Sequence, residues 1–173
     1  MTDVELVPLT DDDMDAFITE NQEAFRFGAV EEFGLRDDHL DDEGEIISRS
    51  TIERSIAEGT AYRIVSEGRR VGGLVVKVKD THGELELLFV SPKEHSKGIG
   101  HAAWCAVENM YPDVTVWETV TPYFEKRNIH FYVNRCGFRI VEFYNEFNKG
   151  PDSKDHDDEG PDEMFRFVKE IRR

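Results

Sequence analysis

The run from Glu84 to Glu108 constrains the fold most; it reads E-L-E-L-L-F-V-S-P-K-E-H-S-K-G-I-G-H-A-A-W-C-A-V-E. Its apolar part, Leu85 to Val90, predicts a strand, with Glu84 and Glu86 on one face because side chains alternate along a strand. The chain then breaks at a proline, passes through a short basic loop, and restarts as a helix at Gly98-Ile99-Gly100. A strand, a glycine turn and a helix N-terminus together predict an anion-binding place, since free backbone N–H groups and the helix dipole point the same way.

The two glycines alone do not say which anion is bound. The loop is not a Walker A motif, because no Gly-Lys-Ser/Thr follows the required spacer. It is not a dinucleotide-binding fingerprint either, because Ala103 stands where a third glycine belongs. By itself, a G-x-G is typical of an ordinary strand-to-helix turn.

The wider sequence around the glycines resembles the acetyl-coenzyme A motif of the GNAT-type N-acetyltransferases. In that family an apolar strand ends in V-x-P and is followed by Q/R-x-x-G-x-G/A. Here Val90-Ser91-Pro92 precedes His95-Ser96-Lys97-Gly98-Ile99-Gly100, with His95 in the Gln/Arg position. The resemblance implies that the loop and helix start hold the cofactor pyrophosphate and that the strand end contacts the pantetheine arm. The residues implied in these contacts are Leu88, Phe89, Val90, His95, Ser96, Lys97, Gly98, Ile99, Gly100 and His101.

A second block, from Pro122 to Phe138, resembles the other signature of the family, N-x-x-A-x-x-x-Y-x-x-x-G-F. The resemblance implies that Asn128 contacts the cofactor arm and that Tyr132 protonates the leaving thiolate. Four residues, not three, separate Tyr132 from the Gly-Phe pair. Tyr132 therefore reaches the thiol if the helix ends with an extra, bulged residue, and Tyr123 is the alternative acid.

Acetyl transfer to an alkylamine also needs a proton acceptor, because the amine is protonated at neutral pH. Counted back from the glycine turn, Glu84 falls where histone-type members of the family keep a catalytic glutamate. Burial between apolar neighbours would raise its pKa toward the working range. A solvent-facing carboxylate is the competing interpretation of Glu84. Glu118, on the next predicted strand, is a second candidate, and many family members pass the proton through water instead.

The remaining chain predicts the order β-α-α-β-β-β-α-β-α-β-β, which is that of the GNAT fold. We therefore expect one α+β domain over residues 1–173, with a mixed, mostly antiparallel sheet of about seven strands flanked by helices. In detail, we expect a second short helical piece over Phe27–Gly34, a helix capped at Ser50 and another helix over Pro122–Asn134.

Two polar stretches are predicted to be loops. Residues 149–163 are acidic, rich in Gly and Pro and almost without apolar side chains, which is typical of a flexible loop. Residues 35–44 are also polar. Their acidic run, 37–42, lacks the glycine and terminal glutamate spacing of a calcium-binding loop, so no metal site is predicted there.

The net charge of −16 restricts the partners. It argues against nucleic acid, which needs basic patches. A surface adapted to high salt and attraction of a cationic substrate both explain it; the even spread of carboxylates along the chain favours the halophilic explanation. No run reaches the roughly 18 apolar residues of a membrane span, and no signal peptide is visible, so we expect a cytoplasmic protein with no membrane partner. Cys105 and Cys136 fit no disulfide or metal framework, and we expect both thiols to be buried.

These observations predict an N-acetyltransferase that uses acetyl-coenzyme A and no metal. Direct attack in a ternary complex is expected, because Cys105, in mid-helix, is a poor nucleophile. A non-catalytic acyl-coenzyme A or amine sensor, and a transferase for a longer acyl group, are the alternatives. The amine acceptor, a small molecule or a protein, would be selected by residues near 21–45 and 144–163, and a homodimer is left open.

Overall fold

The computed structural model of the protein describes residues 2–33, 46–151 and 163–172. Seven strands form one sheet: β1 (Glu5–Pro8), β2 (Thr60–Ser66), β3 (Arg69–Lys79), β4 (His82–Val90), β5 (Val116–Pro122), β6 (Arg139–Tyr144) and β7 (Met164–Glu170). The α-helices are α1 (Met14–Phe33), α2 (Arg49–Glu58), α3 (Ile99–Met110) and α4 (Lys126–His130). Turns of 3₁₀ helix at Asp11–Asp13 and Pro92–Glu94 precede α1 and α3, and a π-helical turn, Phe131–Arg135, follows α4.

The strand order across the sheet is β1-β2-β3-β4-β5-β7-β6. Strands β4 and β5 are parallel, and the other neighbouring pairs are antiparallel. The predicted fold class and element order are therefore confirmed. The parallel pair follows from α3, because a helical crossover returns the chain to the edge of β4 in the same direction.

Strand β4 is irregular in two ways that shape the site. Its register with β3 pairs Val75 with Leu87 but Val76 with Leu85, so Glu86 is an extra, bulged residue. Its pairing with β5 covers three residue pairs and ends at Glu84 opposite Glu118. Beyond that point the two strands continue without pairing, which leaves an opening in the sheet.

Two hydrophobic clusters cover opposite faces of the sheet. One joins β3 and β5 to α3 and the π turn, with Trp104, Trp117 and Phe138 at its centre. The other packs α1 and α2 against β3 and β4, with Phe17 against Phe89 at a ring-centroid distance of 5.1 Å. The predicted core positions of both tryptophans and of Phe138 are confirmed, since each is at most 1% exposed.

Helix α1 is anchored to the sheet through buried charges. Asp13 accepts hydrogen bonds from the Arg63 guanidinium at 2.6 and 3.1 Å and from Arg70 at 2.9 Å. Arg63 also pairs with Glu20 and lies over the Phe17 ring. The hydrogen bonds from Arg63 lower the pKa of Asp13, and burial opposes them.

Three predictions about local structure were wrong. Residues 27–33 continue α1 and do not form a separate helical piece, because Gly28 is tolerated inside a long helix. The N-cap of α2 is Ser48, whose hydroxyl accepts from the Thr51 N–H. Strand β5 continues to Pro122, so the next helix begins at Lys126.

The prediction for the cysteines was half wrong. Cys136 is buried, but Cys105 is exposed on α3, near His101. Neither of the predicted polar loops is tested, since the loop over 35–44 and nearly all of 149–163 lie outside the described residues. Among the helices that the structure describes, none has the length and hydrophobicity required to cross a bilayer.

Candidate functional site

A cleft of about 480 Å³ opens beside the unpaired end of β4. Its walls are the last residues of β4, the loop and first turn of α3, one face of α1, and α4 with the π turn. All of the predicted cofactor-binding residues line it except Lys97. The two sequence blocks are about 30 residues apart in the chain, and the fold brings them to opposite walls of one cleft.

Backbone conformation builds an anion cradle at one end of the cleft. Ser96 and Gly98 both have left-handed conformations, with φ of 67° and 76°, which reverses the chain just before α3. The Ala102 N–H bonds to the Gly98 carbonyl, so the N–H groups of residues 99–101 precede the helical hydrogen-bond ladder. These groups and the helix dipole favour a phosphate at this point.

The loop before α3 carries one acidic side chain beside the cleft, and two basic side chains pair with it. Glu94, which lines the cleft, is held by Lys97 at 2.8 Å and by Arg69 at 3.2 Å. Its hydrogen bond with Lys97 lowers the pKa of the Glu94 carboxyl. Lys97 therefore neutralises Glu94 beside the cleft and is not itself part of the lining.

Arginines that sequence reasoning missed supply positive charge on the opposite wall. Arg127 and Arg135 both line the cleft, on α4 and on the π turn. A signal was present in the sequence, since Lys126, Arg127, His130 and Arg135 form a basic group within an acidic chain.

Tyr132 lies in the buried part of the cleft wall. The π turn, in which the Cys136 N–H bonds to the Phe131 carbonyl, contains the extra residue in the spacing before Gly137. The Tyr132 hydroxyl interacts with Thr119 of β5, and burial raises the pKa of Tyr132 well above its ordinary value. The phenol is therefore protonated at neutral pH. Tyr123, the alternative acid, is 43% exposed and is not among the described residues that line the cleft.

Asn128 lines the cleft one turn of helix before Tyr132. Its amide Nδ2 donates to the Thr121 hydroxyl at 3.3 Å. Thr121 is buried, as is Thr119, whose hydroxyl donates to the Leu85 carbonyl at 2.9 Å. Thr121 thus orients the Asn128 side chain on α4, and Thr119 interacts with the Tyr132 hydroxyl on the π turn.

The candidate bases lie at the closed end of the opening between β4 and β5. Glu84 and Glu118 are directly opposite each other in the last paired position. Glu118 is engaged by His82 and by Arg166, each at 2.6 Å. Neither carboxylate is among the described residues lining the cleft.

Glu86 is nearer to the cleft along β4, at the bulge. Burial raises the pKa of the Glu86 carboxyl, while Lys77 opposes this, and its side chain hydrogen-bonds to Glu84. The predicted placement of the two glutamates on one face is therefore confirmed. Together with His82 and Glu118 they form an acidic group beyond the end of the cleft.

Comparison with known proteins places these features in a family. Residues 15–138 match the model of the Acetyltransferase (GNAT) family. The chain is 46% identical over 171 residues to an uncharacterized protein of Bacillus subtilis (strain 168), YrkN, covering 93% of this chain and 90% of that protein.

Solved structures share the fold at low sequence identity. An acetyltransferase of Bacillus subtilis in complex with CoA matches with a TM-score of 0.65 and 16% identity over 99% of this chain and 100% of that one. The ribosomal-protein-S18-alanine N-acetyltransferase of Escherichia coli matches with a TM-score of 0.67 and 13% identity, over 99% of this chain and 96% of that one. Naa50 of Arabidopsis thaliana, in complex with the bisubstrate analogue CoA-Ac-MVNAL, matches with a TM-score of 0.64 and 14% identity, over 97% of this chain and 99% of that one. The family model spans well over half of the chain and both sequence motifs lie on one cleft: this protein belongs to the GNAT family of acetyltransferases.

Proposed function

We propose that this protein is an N-acetyltransferase that transfers the acetyl group of acetyl-coenzyme A to a primary amine by direct attack in a ternary complex. The observation that carries the proposal is one cleft with an N–H cradle at α3 and a buried, protonated tyrosine on the facing wall. The CoA-bound and bisubstrate-bound structures of the same fold support the choice of cofactor.

The cradle is the proposed site of the cofactor pyrophosphate. The N–H groups of residues 99–101 precede the hydrogen-bond ladder of α3, so they can donate to phosphate oxygens without breaking the helix. The pantetheine arm would lie along Leu88, Phe89 and Val90, since within the described part of the chain β5 pairs only with the first three residues of β4. Asn128 would contact the arm from the opposite wall.

Tyr132 is the proposed acid. When the amine nitrogen attacks the acetyl carbonyl carbon, the C–S bond breaks and the sulfur becomes a thiolate. Like any tyrosine, Tyr132 is protonated at neutral pH and can donate a hydrogen bond or its proton to that sulfur, while burial disfavours its phenolate form.

The Glu84–Glu86 pair is the proposed proton acceptor for the amine. Burial raises the pKa of Glu86, which makes the carboxylate more basic than an exposed glutamate. Neither residue lines the cleft, so the proton would pass through water between the amine and the bulge of β4. Glu118 is a weaker candidate because His82 and Arg166 already engage its two oxygens.

Two measurements test the proposal. Isothermal titration calorimetry should show one acetyl-coenzyme A site per chain, both in dilute buffer and in molar salt. Release of free thiol with a panel of amines should then show turnover. Absence of binding would contradict the proposal as a whole. Binding without turnover on any amine would instead favour the non-catalytic sensor.

A further inference from the structure

His95 joins three elements around the mouth of the cleft. Its Nε2 lies 3.0 Å from the Val90 carbonyl oxygen at the end of β4. Its Nδ1 lies 3.1 Å from a terminal nitrogen of Arg127 on α4. The Phe27 ring of α1 packs edge-on against the imidazole, with ring centroids 5.8 Å apart.

These contacts determine the protonation state of the imidazole. A guanidinium only donates hydrogen bonds, so Nδ1 must accept from Arg127 and carries no proton. Nε2 therefore carries the single proton and donates it to the Val90 carbonyl. A doubly protonated ring would place an N–H against the N–H of Arg127 and could not keep this contact.

The guanidinium held in this way faces the cradle from the opposite wall. Arg127 lines the same cleft as residues 98–101, whose backbone N–H groups form the cradle. Glu94, a carboxylate on the cradle side, is already engaged by Lys97 and Arg69. A phosphate group in the cleft would thus meet backbone donors on one side and a planar, permanently charged group on the other.

We propose that Arg127 binds a phosphate group of coenzyme A and that His95, in its neutral form, is the positioning residue that holds the Arg127 side chain at the cleft. The inference rests on the proposed function, because it takes coenzyme A as the occupant of the cleft.

The first experiment tests Arg127. Affinities of coenzyme A, dephospho-coenzyme A, phosphopantetheine and pantetheine are measured by calorimetry for the wild type, Arg127→Gln and Arg139→Gln. Arg139 is an exposed arginine on β6, paired with Glu170, and controls for the loss of one positive charge. Arg127→Gln should weaken the binding of coenzyme A about tenfold, or ~1.4 kcal/mol. It should leave the binding of pantetheine unchanged. Comparing the affinity losses for dephospho-coenzyme A and for phosphopantetheine shows which phosphate Arg127 binds.

The second experiment tests His95 with two replacements. His95→Ala removes both hydrogen bonds and should weaken the binding of coenzyme A nearly as much as Arg127→Gln does. In the double variant the two losses of affinity should not add. His95→Gln can accept from Arg127 and donate to Val90, so it should keep the affinity.

The results separate the two proposals. If the wild type binds no coenzyme A, the proposed function and this inference both fail. If the wild type binds but Arg127→Gln behaves like Arg139→Gln, only the role of Arg127 is overturned. If His95→Ala binds coenzyme A as tightly as the wild type, or if His95→Gln loses as much affinity as His95→Ala, the positioning role of His95 is overturned.

Discussion

Tyr132 shows at the scale of one residue how environment sets chemical role. The two tyrosines of the second sequence block differ in exposure: Tyr123 is 43% exposed and Tyr132 is 7% exposed. Tyr132 packs against Phe131, Phe138 and Phe167, and this burial raises the pKa of its phenol. A proton that is retained until a thiolate forms beside it suits the acid step of acetyl transfer.

Replacing Tyr132 by Phe should lower kcat by about 10²-fold, which is typical for loss of a positioned acid. The KM for acetyl-coenzyme A should stay within a factor of about two, because the ring keeps its packing. Steady-state thiol release measures both constants. Tyr123→Phe is the control and should change neither; equal losses in the two variants would remove Tyr132 from the mechanism.

The Glu84–Glu86 pair leads to a second prediction at this scale. Glu86→Gln should lower kcat about tenfold or more at pH 7, and less at high pH, where the free amine no longer needs a base. Glu84→Gln should act in the same direction more weakly, because it acts through Glu86. Rate profiles from pH 6 to 10 for the wild type and both variants measure this, and profiles that superimpose would show that no carboxylate of the pair is the base.

At the scale of elements, the π turn accounts for the extra residue between Tyr132 and Gly137. It does not account for the spacing from Asn128 to Gly137, which is shorter than in the family signature. Residues 131–135 form one wide turn, and the four residues between Tyr132 and Gly137 fit within it and the bend that follows. Single-residue insertions are commonly absorbed in this way, often at functional sites. The extra residue is therefore accommodated after Tyr132, whose side chain stays on the cleft wall.

Deleting Asn134 tests this account. Asn134 is exposed and its side chain bonds to His130, so its loss removes little packing. We expect the deletion to convert the π turn into an α turn, to fold, and to retain coenzyme A binding within about tenfold. Circular dichroism checks that the variant folds, and calorimetry measures its affinity for coenzyme A. Deletion of buried Tyr132 is the contrasting variant and should not fold stably; if deletion of Asn134 is equally damaging, the extra residue is structurally required.

A second element-scale device is the buried pairing of Asp13 with Arg63. Asp13 lies in the 3₁₀ turn before α1, and Arg63 lies on β2, so the pair connects the helix to the sheet. Both side chains are at most 4% exposed. Removing one member leaves a buried charge without its main partner, which is costly.

Asp13→Ala should lower the free energy of unfolding by about 3 kcal/mol at pH 7. The pKa of Asp13 is lowered in the folded state, so its stabilisation is present above the unfolded pKa and is lost as pH falls through the folded one. The difference from wild type should therefore shrink below about pH 4. Urea unfolding at pH 7 and pH 3 measures it. Asp15→Ala, an exposed partner of Arg49, should cost less than about 0.5 kcal/mol.

At the scale of the whole molecule, the main physical feature is the excess of negative charge. A net charge of −16 over 173 residues opposes compaction by self-repulsion. The cleft departs from this excess of negative charge, because Arg127 and Arg135 line it together with Glu94 and Glu125. A cleft in which the two signs are balanced repels a polyanionic cofactor less than the rest of the acidic surface does.

The melting temperature should rise with salt if this surface is adapted to high ionic strength. Between about 0.1 and 2 M KCl the Debye length falls from ~10 Å to below ~3 Å, and we expect an increase of several degrees. Differential scanning calorimetry measures it. The affinity for coenzyme A should fall over the same range, because the cleft charges are screened as well. A melting temperature that falls with added KCl would contradict the halophilic interpretation.

Local sequence was sufficient for the parts of the site that are built from backbone. The V-S-P turn, the left-handed Gly98 and the first turn of α3 follow one another closely in the chain, so their geometry follows from local preferences. The left-handed conformation of Ser96 was not predicted, because serine does not favour it. The order of helices and strands along the chain was equally readable, because alternating hydrophobicity and turn residues mark each element. Burial of Cys105 and the start of α4 were predicted wrongly, because they depend on which face of each element meets the core.

The sequence by itself therefore determined the fold and the cradle, and tertiary structure decided which side chains face it. Glu86 is set apart from Glu84 by a bulge that exists only in the pairing of β4 with β3. The contact of His95 with Arg127 joins residues 32 positions apart, across the cleft. Contacts of this kind depend on how helices pack on the sheet, and no local preference encodes that packing.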